Sequence, residues 1–356
     1  MTIAADAVPA RTVDLQRAMG WWLLTCAAMI FAMILIGGVT RLTESGLSIV
    51  EWQPFIGAIP PLSHADWQRL FTEYQQSPEY SQINFGMSLE DFKGIFWLEY
   101  IHRLWGRLIG LVFLLPAIFF FAKGAVRSTL RWQIPLIFVL GGAQGALGWF
   151  MVKSGLVHDP RVSPYRLAAH LLLAISLYSW LLWLALNRLR PADGWAAASA
   201  GDRKIRARLH GLCALILLTI LSGAFVAGTH AGFTYNTFPL MDGRFVPAGY
   251  SLLSPWWHNL FENIPSVQFN HRWLAVFTAL MVIAYCLRAQ RAMLPSPARI
   301  SVNALLAMAL IQPTLGIATL LLVVPTWLGA LHQAGAITLF TLALVTMHTM
   351  RRPRTA

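Results

Sequence analysis

Eight long apolar blocks constrain the fold of this chain more than any other feature. They lie approximately at residues 20–40, 95–122, 132–152, 166–187, 209–229, 268–287, 300–323 and 326–349. Each approaches or exceeds the roughly 20 residues that a helix needs to cross a hydrocarbon layer of about 30 Å. Because lipid offers no hydrogen-bond partner to the backbone, every block must be helical. The sequence therefore predicts an all-α integral membrane protein with eight transmembrane helices.

The positions of the charges predict how these helices are oriented. The net charge is +12, and most of the 27 Lys and Arg residues lie in the two terminal segments or in the connections after even-numbered blocks. Most of the 15 carboxylates fall on the opposite side. By the positive-inside rule both termini are expected in the cytoplasm. Basic residues sorted in this way reflect topology, so we expect no nucleic-acid partner.

An internal repeat relates the two halves of the chain. Matched motifs recur at nearly constant offsets: Glu99-x-x-His102-Arg103 with Gln268-x-x-His271-Arg272, Gln144-x-x-Leu147-Gly148 with Gln312-x-x-Leu315-Gly316, and His170 with His332. Each repeat contains four helices, so both copies share one orientation in the membrane. This pattern predicts two tandem four-helix bundles related by a pseudo-twofold axis along the membrane normal.

The repeat also divides the chain into segments. We expect a cytoplasmic N-terminal tail at 1–19, a first half at 20–187, a basic cytoplasmic linker at 188–208, a second half at 209–349 and a cytoplasmic C-terminal tail at 350–356. The outer loop of the first half, 41–94, is much longer than its counterpart at 230–267. Short helical pieces lying over the first half are expected there. The three cysteines, Cys26, Cys213 and Cys286, fall within predicted helices, where small apolar fillers are expected.

Four histidines are the candidate ligands. With the termini inside, even-numbered helices enter from the outer side, so His102, His170, His271 and His332 form one layer. Two imidazoles from facing helices of a bundle can bind haem iron from opposite sides of the porphyrin. Zinc would require three or four converging ligands, and neither half supplies a nearby Cys or Asp. A hydrogen bond between helices is the alternative for any single histidine.

Charged neighbours of these histidines suggest further roles. Arg103 and Arg272 directly follow a histidine and suit pairing with haem propionates, or they extend to the membrane interface. Glu99 shares a helix face with His102 and could exchange a proton or stabilise positive charge on a substrate. Its counterpart Gln268 is neutral, so the first half is expected to be reactive and the second half to be a carrier. The alternative is that Glu99 only fixes His102 or a loop.

Four other polar residues are assigned to helix ends or to contacts between helices. His158 and His230 are expected at outer helix ends, solvated or interfacial, with contact to a porphyrin edge as the alternative. Gln144 and Gln312 are predicted to form hydrogen bonds between helices.

Several motifs together resemble the haem A synthase family, over nearly the whole chain. They are Gly37-Gly38-Val39-Thr40-Arg41-Leu42-Thr43 with Gly46-Leu47-Ser48, Glu99-Tyr100-Ile101-His102-Arg103, Val162-Ser163-Pro164-Tyr165-Arg166-Leu167, Phe269-Asn270-His271-Arg272 and Leu331-His332-Gln333. The sequence is similar to the proteobacterial and mitochondrial branch, which lacks cysteine pairs in its outer loops. The resemblance implies a bacterial inner-membrane enzyme.

The resemblance also implies an activity. His102 and His170 would hold the substrate haem O, with Glu99 near its reacting methyl group. His271 and His332 would hold a permanent haem b. The C8 methyl group would be oxidised twice, and the hydrate would lose water to leave the formyl group of haem A for cytochrome oxidase. Implied partners are membrane lipid, the haem O synthase, an electron acceptor or donor and a second copy of the chain.

Two other classes of function remain open at this stage. One is a di-haem membrane electron-transfer protein of the cytochrome b type, in which neither haem is altered. The other is a transporter built from parallel repeats.

Overall fold

The computed structural model describes residues 10–51, 56–157, 160–190 and 200–351, and these contain helices and connections but no β-strand. The helices are α1 (Ala10–Leu42), α2 (His64–Gln75), α3 (Pro78–Gln82), α4 (Leu89–Ala122), α5 (Leu130–Gly155), α6 (Pro164–Leu189), α7 (Ala200–Gly228), α8 (Ile264–Ala289), α9 (Ser296–Leu321) and α10 (Thr326–Thr349). Short 3₁₀ helices lie at Ile56–Ala58, Ala231–Phe233 and Trp256–Leu260. The predicted His158 falls outside the described residues.

Eight of these helices are long and apolar enough to cross a membrane, which confirms the predicted fold class. The protein is a multi-pass membrane protein. The largest differences from the predicted spans are extensions: α1 begins ten residues, α7 nine residues and α4 six residues earlier than the apolar blocks. The added turns are polar and amphipathic, and helical propagation continues through them because each further residue adds one hydrogen bond. The helices therefore extend beyond the apolar blocks from which they were predicted.

Proline sets the start of several helices. Pro164 opens α6, Pro265 lies in the first turn of α8, and Pro325 is the residue before α10. Proline is well tolerated at a helix start because the first amide groups have no partner within the helix. The expected break between the last two spans is thus confirmed, and the connection 322–325 is short.

The eight long helices pack as two closed rings. Helices α1, α4, α5 and α6 each contact the next, and α6 returns to α1; α7, α8, α9 and α10 repeat this arrangement. Between the rings, α6 contacts α7, α1 contacts α10, and α6 contacts α10. Exchanging the two rings reproduces the same set of contacts. The packing is therefore compatible with the pseudo-twofold repeat, while the segment boundaries stay predictions.

One buried apolar cluster extends through both rings and lies towards one end of every long helix. In α4 it includes Phe113, Ala117 and Phe120, and in α10 it runs from Ile337 to Leu344, with Met350 directly after the helix. Cys26, Cys213 and Cys286 are free and buried within it, as predicted. Because this end is tightly filled, the opposite end of each bundle is the part that can accommodate a ligand.

The long first outer loop contains the expected short helices. A capping box between Ser63 and Asp66 begins α2, and α2 packs on the first turns of α4 through an aromatic cluster. The cluster consists of Phe71, Tyr74, Phe92, Phe96 and Tyr100. These contacts fix the loop over the first ring.

Candidate functional site

The four predicted histidines occupy equivalent positions in the two rings. His102 and His170 lie on α4 and α6, and His271 and His332 lie on α8 and α10; all four are partly buried. The helices in each pair stand at opposite corners of their ring, because each contacts the other two members in turn. His102 is close enough to His170 to interact electrostatically, as His271 is to His332. The structure therefore brings the histidines together as one pair in each half.

Each histidine ring rests on a glycine of the preceding long helix. A Cβ placed on the glycine would lie 3.1 Å from His102 Nε2 at Gly37, 3.0 Å from His170 Cε1 at Gly148, 3.1 Å from His271 Cε1 at Gly223 and 2.8 Å from His332 Cε1 at Gly316. We call these four glycines the seats. Even an alanine at a seat would press on the ring, since real Cβ contacts are seldom this close. Glycine is required here for close approach rather than for backbone freedom.

The seats place both bundles' histidines at one depth. The helices that carry the seats are α1, α5, α7 and α9, and each ends shortly after its seat. For example, α7 ends at Gly228 after Gly223, and α9 ends at Leu321 after Gly316. The histidine-bearing helices begin at the same end. This supports the predicted histidine layer, and it lies away from the tightly packed apolar cluster.

Hydrogen bonds orient the rings of the second half. Ser222 Oγ lies 2.8 Å from His271 Nδ1. Gln312 Nε2 lies 3.1 Å from His332 Nδ1 and donates to the His332 carbonyl oxygen at 2.8 Å. In the first half Gln144 reaches only the carbonyl oxygen of His170, at 3.0 Å. Both glutamines thus form the predicted hydrogen bonds between helices.

Glu99 is buried and fully engaged in a connection between α4 and the first outer loop. Its Oε1 accepts from Arg103 Nη2 at 2.6 Å and Nε at 3.0 Å. Its Oε2 accepts from Ser48 Oγ at 2.7 Å and from the Ile49 amide at 2.8 Å. Arg103 also donates to the Ile49 carbonyl oxygen at 2.8 Å. We call this network the first latch.

The second half contains a matching latch with reversed polarity. Gln268 Nε2 donates to the Ala231 carbonyl oxygen at 2.8 Å, and Gln268 Oε1 accepts from Arg272 Nη2 at 3.1 Å. Arg272 donates to the carbonyl oxygens of Thr237, at 2.6 Å, and Tyr235. The loop offers donors to Glu99 in the first half and acceptors to Gln268 in the second. The Glu-to-Gln difference between the halves is therefore matched by the hydrogen-bonding groups of the loops.

A second buried carboxyl group lies near the first latch. Glu79 on α3 is 2% exposed and its Oε2 accepts from the Tyr74 hydroxyl at 3.1 Å. Burial raises the pKa of the Glu79 carboxyl to about 8; the Tyr74 hydrogen bond opposes this rise, and the negative charges of Glu99 and Glu44 add to it. Glu79 can therefore carry a proton at neutral pH.

Polar contacts also join the two halves at this end of the molecule. Arg41 Nη2, at the end of α1, donates to the Ala227 carbonyl oxygen at 3.0 Å and lies 2.5 Å from His230 Nε2. Gln333, next to His332, donates to the Ile34 carbonyl oxygen at 2.7 Å, and its side chain occupies the space beside Gly38. His230 thus contacts Arg41. This contact and the Gln333–Ile34 hydrogen bond join the two rings near their histidine pairs.

The sequence interpretation missed three elements of this site. Gly37, Gly148 and Gly316 stood within the quoted motifs, but their role as seats depends on which helix lies behind each histidine. Ser222 gave no signal, because its counterpart before the first seat is Ile36. Glu79 was one of several loop acids, and only folding makes it buried.

The residues present fit a bis-imidazole porphyrin site in each half. Each pair supplies two neutral nitrogen ligands from opposing helices, and glycine seats leave the rings unobstructed from behind. Arg272 Nε is buried with no hydrogen-bond partner among the described residues, which leaves one donor for an anionic group. An apolar, low-dielectric surrounding with a few polar groups is typical of cofactor sites.

Comparison with known proteins identifies the family. The model of the COX15-CtaA family, described as cytochrome oxidase assembly protein, matches residues 20–344. A protein named "Heme A synthase" from Nitrosospira multiformis is 51% identical, covering 95% of this chain and 94% of the relative. One of the same name from Paramagnetospirillum magneticum is 49% identical, covering 95% of each. "Heme A synthase COX15" from Bos taurus is 44% identical, covering 95% of this chain and 83% of the relative. The chain belongs to the COX15-CtaA family of cytochrome oxidase assembly proteins.

Proposed function

We propose that this protein is a haem A synthase, a membrane oxidoreductase that converts the C8 methyl group of haem O to a formyl group and supplies haem A to cytochrome oxidase. The single observation that carries the proposal is the pair of seated imidazoles in each half. The names of relatives at 44–51% identity support it independently. The range matched by the family model, 20–344, contains the four histidines and Glu99.

In this proposal the first half binds the substrate. His102 and His170 are the axial ligands of haem O iron, from α4 and α6. Two successive hydroxylations would each replace one C–H bond of the methyl carbon with a C–OH bond. With water as the oxygen source, each would release two protons and pass two electrons to the proposed electron acceptor. The resulting hydrate loses one water molecule and becomes the formyl group. The residues of the first ring position the methyl group and exclude bulk water.

Glu99 is the proposed catalytic residue, and its contacts favour an electrostatic role. Four donors from Arg103, Ser48 and Ile49 hold the carboxylate, so releasing it to accept a proton would cost several hydrogen bonds. A fixed negative charge one helical turn before His102 would stabilise positive charge that develops on the methyl carbon. Glu79, which can hold a proton, lies within electrostatic range of Glu99.

The second half is proposed to hold haem b between His271 and His332. Haem b would supply one-electron transfer when bound. Arg272 would pair a propionate through its remaining Nε donor. Arg103, whose Nε already donates to Glu99, is the proposed partner of a propionate of the substrate. Ser222 and Gln312 orient the two imidazoles.

The proposal includes a setting for the protein. We place it in a bacterial inner membrane with both termini cytoplasmic, following the distribution of Lys and Arg. The histidine layer would then face the outer side, and the halves 20–187 and 209–349 would be the substrate and haem b units. The haem O synthase, an electron acceptor or donor and a second copy of the chain are the proposed partners.

A di-haem electron-transfer protein is the second candidate. It is favoured by the presence of two glycine seats in each half, which would suit two permanent haems. The two candidates differ in the porphyrin recovered after the protein is expressed with haem O available. An electron-transfer protein would contain only unmodified haem b.

Haem extraction with mass analysis tests the proposal. Wild type should yield haem b together with haem O, its hydroxylated form or haem A. His102→Ala should lose the haem O-derived species and keep haem b, and His271→Ala should lose haem b. Protein without any porphyrin, from cells that make ample haem, would contradict both candidates.

A further inference from the structure

The two halves differ in how firmly they hold their imidazoles. Ser222 Oγ lies 2.8 Å from His271 Nδ1 and 2.7 Å from the Thr219 carbonyl oxygen. A carbonyl oxygen can only accept, so the single hydroxyl proton of Ser222 goes to Thr219. Ser222 must then accept a hydrogen bond from the Nδ1–H of His271. This tautomer leaves the lone pair on Nε2, which is the atom available to bind iron.

His332 is held by Gln312 of α9, the helix that also carries its glycine seat. Gln312 contacts both the ring Nδ1, at 3.1 Å, and the carbonyl oxygen of His332, at 2.8 Å. The NH₂ group has two hydrogens, so it donates to the carbonyl oxygen and faces the ring Nδ1 at the same time. Both second-half rings therefore have a polar group that fixes their orientation.

The first half keeps the seats without these contacts. Ile36 precedes the seat Gly37, where Ser222 precedes the seat Gly223, and isoleucine offers no hydrogen bond. Gln144 reaches only the backbone of His170. The His170 Nδ1 is buried and has no hydrogen-bond partner in the described part of the chain. Rotation of this ring would break no hydrogen bond.

Ligands to iron normally donate their second ring N–H to a fixed acceptor, which sets the tautomer and increases the electron donation of the ring. A resident haem requires such ligands because it must stay bound through many cycles. A substrate haem must enter and its product must leave, so a firmly oriented ligand would slow turnover.

We propose that Ser222, with Gln312, is a positioning residue that retains the resident haem of the second half, and that the unanchored imidazoles of the first half allow haem exchange. The inference rests on the proposed function and extends it to the difference in residence time between the two sites.

The test measures haem release from each half of the full-length protein. A His102→Ala background confines haem to the second half, and a His271→Ala background confines it to the first. Transfer of haem to excess apomyoglobin gives the release rate. In the first background, Ser222→Ala should speed release by about 10- to 100-fold, and Ser222→Thr should restore slow release. In the second background, Ile36→Ser should slow release.

A second measurement separates positioning from loss of packing. Removing the acceptor of the His271 Nδ1–H makes the ring a weaker donor to ferric iron. The midpoint potential of the second-half haem should therefore rise in Ser222→Ala and return in Ser222→Thr. Unchanged release rate and potential in Ser222→Ala would overturn the inference while leaving the proposed function intact. Absence of haem from both backgrounds would instead refute the proposed function.

Discussion

Glu99 is bound on one carboxylate oxygen by Arg103, at 2.6 and 3.0 Å, one helical turn further along α4. The other oxygen holds the loop through Ser48 and Ile49. The residue beside the proposed substrate ligand His102 is thus also the anchor of the first outer loop. The catalytic and structural interpretations of Glu99 describe two consequences of the same contacts.

Glu99→Gln should disrupt the first latch. An amide has only one acceptor oxygen, so its NH₂ group must face either Arg103 or the loop donors, and a partly buried guanidinium loses part of its partner. Breaking a fully buried pair costs about 3–5 kcal/mol, and the partial exposure of Arg103 lowers the cost below that range. Formyl-haem yield should fall, with accumulation of haem O or its hydroxylated form, and amide exchange in 45–51 should accelerate.

The matched control for the first latch is Gln268→Glu. It places a carboxylate against the carbonyl oxygens of Ala231 and Tyr235, so it should loosen the second outer loop and leave the first unaffected. Unchanged formyl yield and unchanged exchange in Glu99→Gln would contradict the role of the latch.

Gly148→Ala should disturb the first haem site without unfolding the bundle. The new Cβ would lie 3.0 Å from His170 Cε1, so the ring must move, at a cost of about 1–3 kcal/mol. Absorption and electron paramagnetic resonance spectra should show a loss of low-spin haem in a His271→Ala background. Gly145→Ala, one turn away on α5, is the control because no atom lies within 4 Å of its Cβ position. Equal spectra for the two variants would argue against the seat.

Gly38→Ala should transmit a change from the first half to the second. Its Cβ would collide with the Gln333 side chain, and Gln333 is adjacent to His332 on α10. The spectrum of the second-half haem should shift, although the substitution lies on α1. Adding Gln333→Ala removes the obstructing amide and should largely restore the spectrum; a shift that persists in the double variant would locate the effect elsewhere.

The packing of α3 should depend on pH through Glu79. Its pKa of about 8 in the folded protein is above the ordinary value of 4.5, so the folded state binds the proton more tightly. The resulting stabilisation is complete below about pH 4.5 and is lost as pH rises through about 8. Hydrogen exchange of 74–84, corrected for its intrinsic rate, should therefore accelerate between pH 6 and pH 9. Glu79→Gln should remove this dependence, and a wild type with equal protection at both values would contradict it.

Much of the architecture could be predicted because the membrane restricts the possible structures. Each apolar block is long enough to cross the membrane, and its backbone groups must form their hydrogen bonds within the segment, so each block is a helix. The eight spans could therefore be predicted from sequence. The matched motifs predicted the two halves and the candidate histidines: the Glu99 and Gln268 motifs gave His102 and His271, and the pair His170 and His332 gave the other two. The short helices over the first half were expected from the composition of 41–94, and they were found at His64–Gln75 and Pro78–Gln82.

The contacts within the candidate site could not be predicted from sequence. Each joins residues of different segments, and no sequence pattern indicates which segments lie side by side. Gly223 and His271 belong to different helices, and Ser222 matters only because its hydroxyl already donates to Thr219. Whether the loop of a latch offers donors or acceptors depends largely on its backbone amide and carbonyl groups. Nearly every residue carries both, so the sequence does not indicate which one is used. Sequence alone determined the helices and predicted their repeat and the histidine layer, since these depend on local hydrophobicity and spacing. Only packing decided which rings are anchored, because hydrogen bonds depend on distances of a few ångströms between distant segments.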